Sequence, residues 1–268
     1  MDRKNEYIAV FDSGVGGISV LRQLCRELPQ ERFLYFGDSA NAPYGNRSVE
    51  QVRQLTLDAA KMLMGRNVKA LVVACNTATA AAIELLRQTY PDEIIIGIEP
   101  AVKLAAGRYP QGHIGVMATQ VTLRQERFED LIARHGGTAA VERIPAPGLV
   151  ELIEQGKADS PETEALLTGI LAPWTGRLDA LVLGCTHYPF LKKNFGRIYP
   201  ELDLLNPSKE VIFEVERILR ERDMLADDTN TAEHLCYASD LSENFHNVVN
   251  RVFEDDQEVR LEFKKVGE

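Results

Sequence analysis

Apolar residues along this chain come in short runs that alternate with longer amphipathic stretches. IAVF (8–11), RFLYF (32–36), ALVVA (70–74) and EIIIGI (93–98) are β-rich and bounded too closely to be helices. Between the second and third lies SVEQVRQLTLDAAKMLM, in which Val52, Leu55, Ala59, Met62 and Leu63 fall on one helical face. Ser48 and Gln51 have the spacing of a capping box and mark where that helix starts. Continuous apolar strands separated by helices predict a parallel sheet covered on both faces.

The pattern then recurs. HIGVM (113–117), AAVERI (139–144), DALVLG (179–184) and LDLLN (202–206) repeat the four runs in order, each displaced by about 108 residues. A near-constant displacement is the mark of a duplicated unit. The fold class expected is α/β, with two pseudo-symmetric domains, each a mainly parallel sheet flanked by helices, and an active site in the cleft between them. A portion without a repeat partner follows Pro207. It reads as a helix, SKEVIFEVERILRERDML, and a strand, EHLCYASD (233–240). A second helix then places Phe245, Val248, Val249, Val252 and Phe253 on one face, and the alternating tail EVRLEFKKV (258–266) reads as a charged edge strand. This portion is expected to pack back onto the first unit. The expected division is residues 1–98 plus 207–268 for the first domain and 99–206 for the second, with crossings near Ile98–Pro100 and Asn206–Pro207.

Composition narrows the function. A chain of 268 residues with 45% hydrophobic and 26% charged residues is an ordinary globular protein with enough chain for a large core. A formal charge of -10 disfavours a nucleic-acid partner. The start, MDRKNEYIAVFD, has no apolar region of signal-peptide length, and no run approaches a membrane span. No membrane partner and a cytoplasmic, reducing setting are therefore expected. The four cysteines, at 25, 75, 185 and 236, form no CxxC pair and no zinc-site spacing. No metal is expected.

Two of those cysteines occupy matched places. LVVACNT (71–77) delivers Cys75 to the end of the third strand, and LVLGCTHYP delivers Cys185 to the end of its repeat. The carboxyl edge of an open α/β sheet is where ligands bind. Both cysteines precede a helix start, which favours thiolate. Two thiols facing each other across a cleft suit removal of a proton from one face of a carbon and delivery of one to the other. A carbon acid beside a carboxylate is weak, so such a site needs preorganised donors for the developing charge. Asn76, Thr77 and Thr186, beside the cysteines, are placed to supply them, although helix capping is their ordinary role.

Three further stretches lie at the same sheet edge. FDSGVGG (11–17) has part of a dinucleotide fingerprint, with Asp38 at the distance of a ribose-binding acid. Ser19 stands where that fingerprint needs a glycine or alanine, and Asp12 would face a pyrophosphate with its own charge. The glycine turn instead frees Asp12 and Ser13 to face a small substrate, with Asp12 suited to an ammonium group. In GDSANAPYGNRS, the Pro43, Tyr44 and Gly45 turn can offer backbone N–H groups to a carboxylate and a ring as a wall. His187, two residues past Cys185, can promote thiolate formation or transfer a proton.

FDSGVGG, APYG, ACNTAT and LGCTHYP, in this order and spacing, resemble the glutamate racemases of the aspartate/glutamate racemase family. The resemblance covers nearly the whole chain. It implies cofactor-independent interconversion of L- and D-glutamate, supplying D-glutamate for peptidoglycan. In it Cys75 would take the proton from D-glutamate and Cys185 from L-glutamate. Asp12 would assist Cys75, and His187 would assist Cys185, with Glu151 as the acidic residue after the proline-rich turn. Ser13, Pro43, Tyr44, Gly45, Asn76, Thr77, Thr119, Thr186 and His187 would line the substrate site, together with Asp12. ATQVTLRQERF departs from the threonine- and glycine-rich loop of many members, and Ala146 stands where a cysteine is expected. Asn41 has no assignment, and Cys25 and Cys236 read as core. A racemase of aspartate or another amino acid, and a two-lobed amino-acid-binding protein without chemistry, are the competing functions. A homodimer is the default oligomeric expectation.

Overall fold

Among the described residues, ten strands and the helices between them build two parallel sheets. A computed structural model of the chain describes residues 3–227, 233–253 and 261–267. The first four apolar runs become β1 (Tyr7–Asp12), β2 (Phe33–Gly37), β3 (Val68–Val73) and β4 (Ile94–Gly97), and their repeats become β5 (His113–Ala118), β6 (Ala140–Pro145), β7 (Ala180–Gly184) and β8 (Asp203–Leu205). β9 (Leu235–Ala238) and β10 (Phe263–Lys265) complete the set. Residues 258–260 of the expected tail strand lie outside the described residues.

The first sheet has the order β10-β9-β2-β1-β3-β4 and the second β6-β5-β7-β8. Within the repeated part the two orders are the same: second strand, first, third, fourth. Every pairing is parallel. The portion after Pro207 returns to the first sheet, because β9 pairs with β2 from Leu34↔Leu235 to Gly37↔Ala238, and β10 pairs with β9.

Alternation along the strands sends successive side chains to opposite faces. Ile8, Val10, Tyr35, Ala70 and Val72 pack under the helices Ile18–Glu27, Ser208–Glu221 and Glu243–Phe253. Ala9, Phe11, Leu34, Leu71 and Val73 face the helices Val49–Met64 and Asn76–Thr89. The unrepeated helices thus cover the face that a lone β-α repeat would leave short of cover. The capping box is formed: the Ser48 hydroxyl accepts from the Gln51 N–H at 3.2 Å, and the Gln51 side chain accepts from the Ser48 N–H at 3.0 Å. A buried ion pair ties the returning segment down. Lys69 Nζ lies 2.5 Å from Glu31 Oε2 with both side chains fully buried, and it donates to the carbonyls of Lys4 (2.6 Å) and Met224 (2.8 Å). Removing one member of such a pair costs about 3–5 kcal/mol. No described helix is long and apolar enough to cross a membrane.

Candidate active site

The carboxyl ends of the central strands converge. Asp12 ends β1, Cys75 lies just past β3, Thr119 follows β5 and Cys185 follows β7. The second-unit side chains reach directly into the first. Thr186 donates its hydroxyl to Asp12 Oδ2 at 3.1 Å, the Val15 N–H donates to Glu154 Oε1 at 3.1 Å, and Thr77 Oγ1 lies 3.0 Å from Thr119 Oγ1. The two sheet edges therefore meet around one site.

Cys75 caps the helix Asn76–Thr89, and the Ala78 N–H donates to its sulfur at 3.4 Å. Ser13 Oγ lies 3.2 Å from the same sulfur. The thiol is only 4% exposed. Burial, reinforced by the charge of Asp12, pushes its pKa from 9.0 up to about 12, against the opposing bonds from Ser13 and Ala78. The Asp12 carboxyl is also pushed up by burial, while His187, the N–H groups of Gly14 and Gly17 and the Thr186 hydroxyl hold it down. The Gly14 bond is 3.0 Å.

On the other side, Cys185 is 7% exposed, and its sulfur lies 3.6 Å from His187 Nδ1. His187 Nε2 lies 2.6 Å from Glu154 Oε1. Burial opposes the imidazolium, but the partners Cys185 and Glu154 outweigh it and raise the His187 pKa well above its ordinary value. Each thiol thus has its own polar neighbours: the Ser13 hydroxyl and the charge of Asp12 at Cys75, and the His187 ring at Cys185.

The glycines of FDSGVGG create room for this approach. A Cβ on Gly14 would stand 2.1 Å from Glu154 Oε1, and one on Gly16 would stand 2.3 Å from Thr186 Oγ1 and 2.6 Å from His187 Nδ1. They admit side chains of the second unit, which accounts for a glycine pattern that imitates a phosphate loop. Gly45 makes the same allowance for Thr119, whose Cγ2 would lie 2.8 Å from an added Cβ.

Asn76 has a buried and unpaired side-chain amide. It is 3% exposed, and neither its Oδ1 nor its Nδ2 has a hydrogen-bond partner among the described residues. A buried polar group left unpaired costs about 1–3 kcal/mol, so the amide is expected to have a use. Tyr44 differs from its expected part as a wall. Its ring is buried beside Phe11, with centroids 6.3 Å apart, and its hydroxyl donates to Asp38 Oδ2 at 2.8 Å. Asn41 donates to both oxygens of the same carboxylate, at 3.0 and 3.1 Å. That contact gives Asn41 its role: with Tyr44 it fixes Asp38 below the turn. Pro43 follows a cis peptide bond, and with Gly45 it lines a cavity of about 100 Å³ beside Thr119.

Glu151 is not the carboxylate on His187. It accepts from Asn46 Nδ2 at 2.6 Å, whereas Glu154, three residues on, holds the imidazole. Both acids lie on the helix Leu149–Glu154, so a spacing of three leaves them on one face. ELIE contains the right carboxylate, but only the tertiary approach of His187 distinguishes it. Cys25 and Cys236 are buried in the core under the first sheet. Among the described residues, no three His, Cys, Asp or Glu side chains are arranged to hold a metal ion.

Residues 12–203 match the family model for Asp/Glu/Hydantoin racemase. The chain belongs to that family. It is 49% identical to the glutamate racemase of Clostridium novyi (strain NT), over 75% of this chain and 78% of the relative. It is 44% identical to that of Clostridium acetobutylicum, over 84% and 88%. Among solved structures, glutamate racemase RacE1 from Bacillus anthracis superposes with a TM-score of 0.87 at 30% identity, covering 98% of each chain. The Francisella tularensis enzyme, solved in complex with D-glutamate, superposes at 0.84 with 28% identity, again over 98% of each. As a member of the family this chain is placed among the isomerases, with an α/β fold shared over 98% of its length.

Proposed function

We propose that the site racemizes glutamate by a two-base mechanism, with Cys75 and Cys185 as the opposed acid and base and D-glutamate for peptidoglycan as the product. One observation carries the reading: two buried thiols sit at equivalent strand ends of the two repeated sheets, and each has its own polar neighbours. The 43–49% identity to curated glutamate racemases supports the substrate.

In this reading Cα lies between the sulfurs. Cys75 takes the proton from D-glutamate while Cys185 delivers one to the other face, and L-glutamate reverses the roles. One sulfur begins as thiolate and the other as thiol, so each turnover leaves the pair ready for the opposite enantiomer. Asp12 receives the ammonium group. Burial chiefly holds the Cys75 pKa up; that contact offsets the added carboxylate charge of Asp12, and so helps prepare the sulfur to act as a base. The imidazolium of His187, held by Glu154, supplies positive charge beside Cys185. The unpaired amide of Asn76, with Thr77 and Thr186, donates to the carboxylate whose charge grows as the proton leaves. Ser13, Pro43, Tyr44, Gly45 and Thr119 complete the walls, with Tyr44 contributing through its backbone. Glu154 takes the supporting role that the resemblance gave to Glu151.

The division into residues 1–98 plus 207–268 and 99–206 belongs to the same proposal, as do a cytoplasmic location and a homodimer. No added cofactor enters the chemistry. The test is circular dichroism on D- and L-glutamate and on D- and L-aspartate with purified protein. Decay of the signal to zero from either glutamate enantiomer, with aspartate unchanged, is the expected result. Decay of aspartate alone would overturn the substrate assignment.

A further inference from the structure

Both thiols are almost completely buried, so a substrate can reach them only if the two units part. The described contacts that join the units near the site place two of them on a single helix, Leu149–Glu154. Glu154 reaches inward to the Val15 N–H and His187. One turn earlier, Glu151 reaches outward to Asn46 of the first unit. Asn46 and Glu151, joined by this bond, both line the cavity of about 100 Å³ that Pro43, Gly45, Thr119 and Val150 also line. That cavity touches Gly45 and Thr119 on its inner side, and Thr119 is in turn bonded to Thr77 beside Cys75. The Asn46–Glu151 bond lies at the exposed side of this cavity, and Thr119 lies at the side nearer Thr77.

From this arrangement we infer that the Asn46–Glu151 hydrogen bond is a clasp across the entrance, and that it sets how often the thiols become accessible. A clasp on the same helix as Glu154 links closure to chemistry. When Glu151 engages Asn46, the helix is held where Glu154 can hold His187. When it lets go, the entrance widens and the imidazole support loosens together. Asn46 and Glu151 are therefore positioning residues, and neither needs to touch the substrate. The bond joins a carboxylate to a neutral amide near the surface, so its loss shifts the opening equilibrium modestly, by roughly threefold to tenfold.

The inference rests on the reading of the two thiols as the reaction centre, yet thiol access can be measured without any turnover. The experiment is alkylation by iodoacetamide of the ligand-free full chain, with each cysteine followed separately by peptide mass spectrometry. Asn46→Ala, Glu151→Ala and the double variant are compared with the parent. The expected result is alkylation of Cys75 and Cys185 that is threefold to tenfold faster in each single variant, and no faster still in the double variant. Cys25 and Cys236, buried in the core away from the entrance, keep their parental rates. Unchanged rates at Cys75 and Cys185 would overturn the clasp, and so would an equal acceleration of all four cysteines, which reports general loosening. Loss of racemase activity in the parent itself would instead contradict the function, and would leave the alkylation comparison intact.

Discussion

Replacing Glu154 with glutamine isolates the charge that supports His187. The substitution keeps the shape and an oxygen that can accept from Val15, so closure of the units is preserved. It removes the negative charge at 2.6 Å from Nε2. A hydrogen bond to a charged group contributes about 1.5–3 kcal/mol. That energy corresponds to about 1–2 pH units on the imidazolium. Burial already disfavours the charged ring, and Cys185 then remains the main group opposing it, with the charge of Asp12. The His187 pKa should fall by about 1 unit or more, and the population of imidazolium near neutral pH should fall with it. NMR titration of the His187 ring protons measures the shift directly. The same variant should lose about tenfold to a hundredfold in kcat/KM. The two enantiomers have equal free energy, so the loss must be the same in both directions. Glu151→Gln, on the same helix, should leave the His187 titration where it is. If Glu154→Gln leaves the His187 midpoint and kcat/KM unchanged, or if Glu151→Gln moves that midpoint instead, the assignment of the supporting carboxylate is wrong.

Further outcomes follow from the same geometry. Asn76→Ala should raise KM for glutamate at least tenfold while leaving the melting temperature of the ligand-free protein unchanged or higher, because its amide has no partner among the described residues to lose; an unchanged KM with a lowered melting temperature would place its role in the fold. The Cys75 pKa is raised in the folded state, from 9.0 to about 12, so its contribution to stability is complete below pH 9 and is lost as pH rises toward 12. Denaturant unfolding of Cys75→Ala should therefore show a shallower alkaline loss than the parent, by up to about 1.4 kcal/mol per pH unit in that window. Gly16→Ala places a methyl 2.3 Å from Thr186 Oγ1 and should cut kcat/KM more than tenfold, and a fully active variant would show that the units do not need this approach.

The chain reveals its duplication and its two thiols because both are local. An apolar run that ends in cysteine, repeated at a fixed displacement, reads directly as two matched strand ends, and the shared order of β2-β1-β3-β4 and β6-β5-β7-β8 bears this out. The return of the unrepeated portion to the first unit is legible too, since an amphipathic segment must cover an exposed sheet face, whereas its pairing with β2 is not. What escapes is tertiary choice. Glu151 and Glu154 share one helical face, so helical spacing cannot say which meets His187. Tyr44 and Asn41 look like loop residues until the buried carboxylate of Asp38 is placed between them. The glycines of FDSGVGG imitate a phosphate loop because any close approach calls for the same absent Cβ, whether the visitor is a pyrophosphate or Thr186.

The central claim is that two sulfurs on opposite sides of Cα act as separate acid and base. It is tested most directly in deuterium oxide, with D-glutamate as substrate and no cofactor added. Cα–H is followed by NMR, and the enantiomers are separated at low conversion. Both thiols exchange with solvent beforehand, so the account predicts deuterium at Cα of the L-glutamate formed and hydrogen retained in the D-glutamate recovered. Cys75→Ser and Cys185→Ser should each reduce racemization severely. Deuterium in both pools at equal rates, or an active variant lacking both cysteines, would contradict two opposed bases.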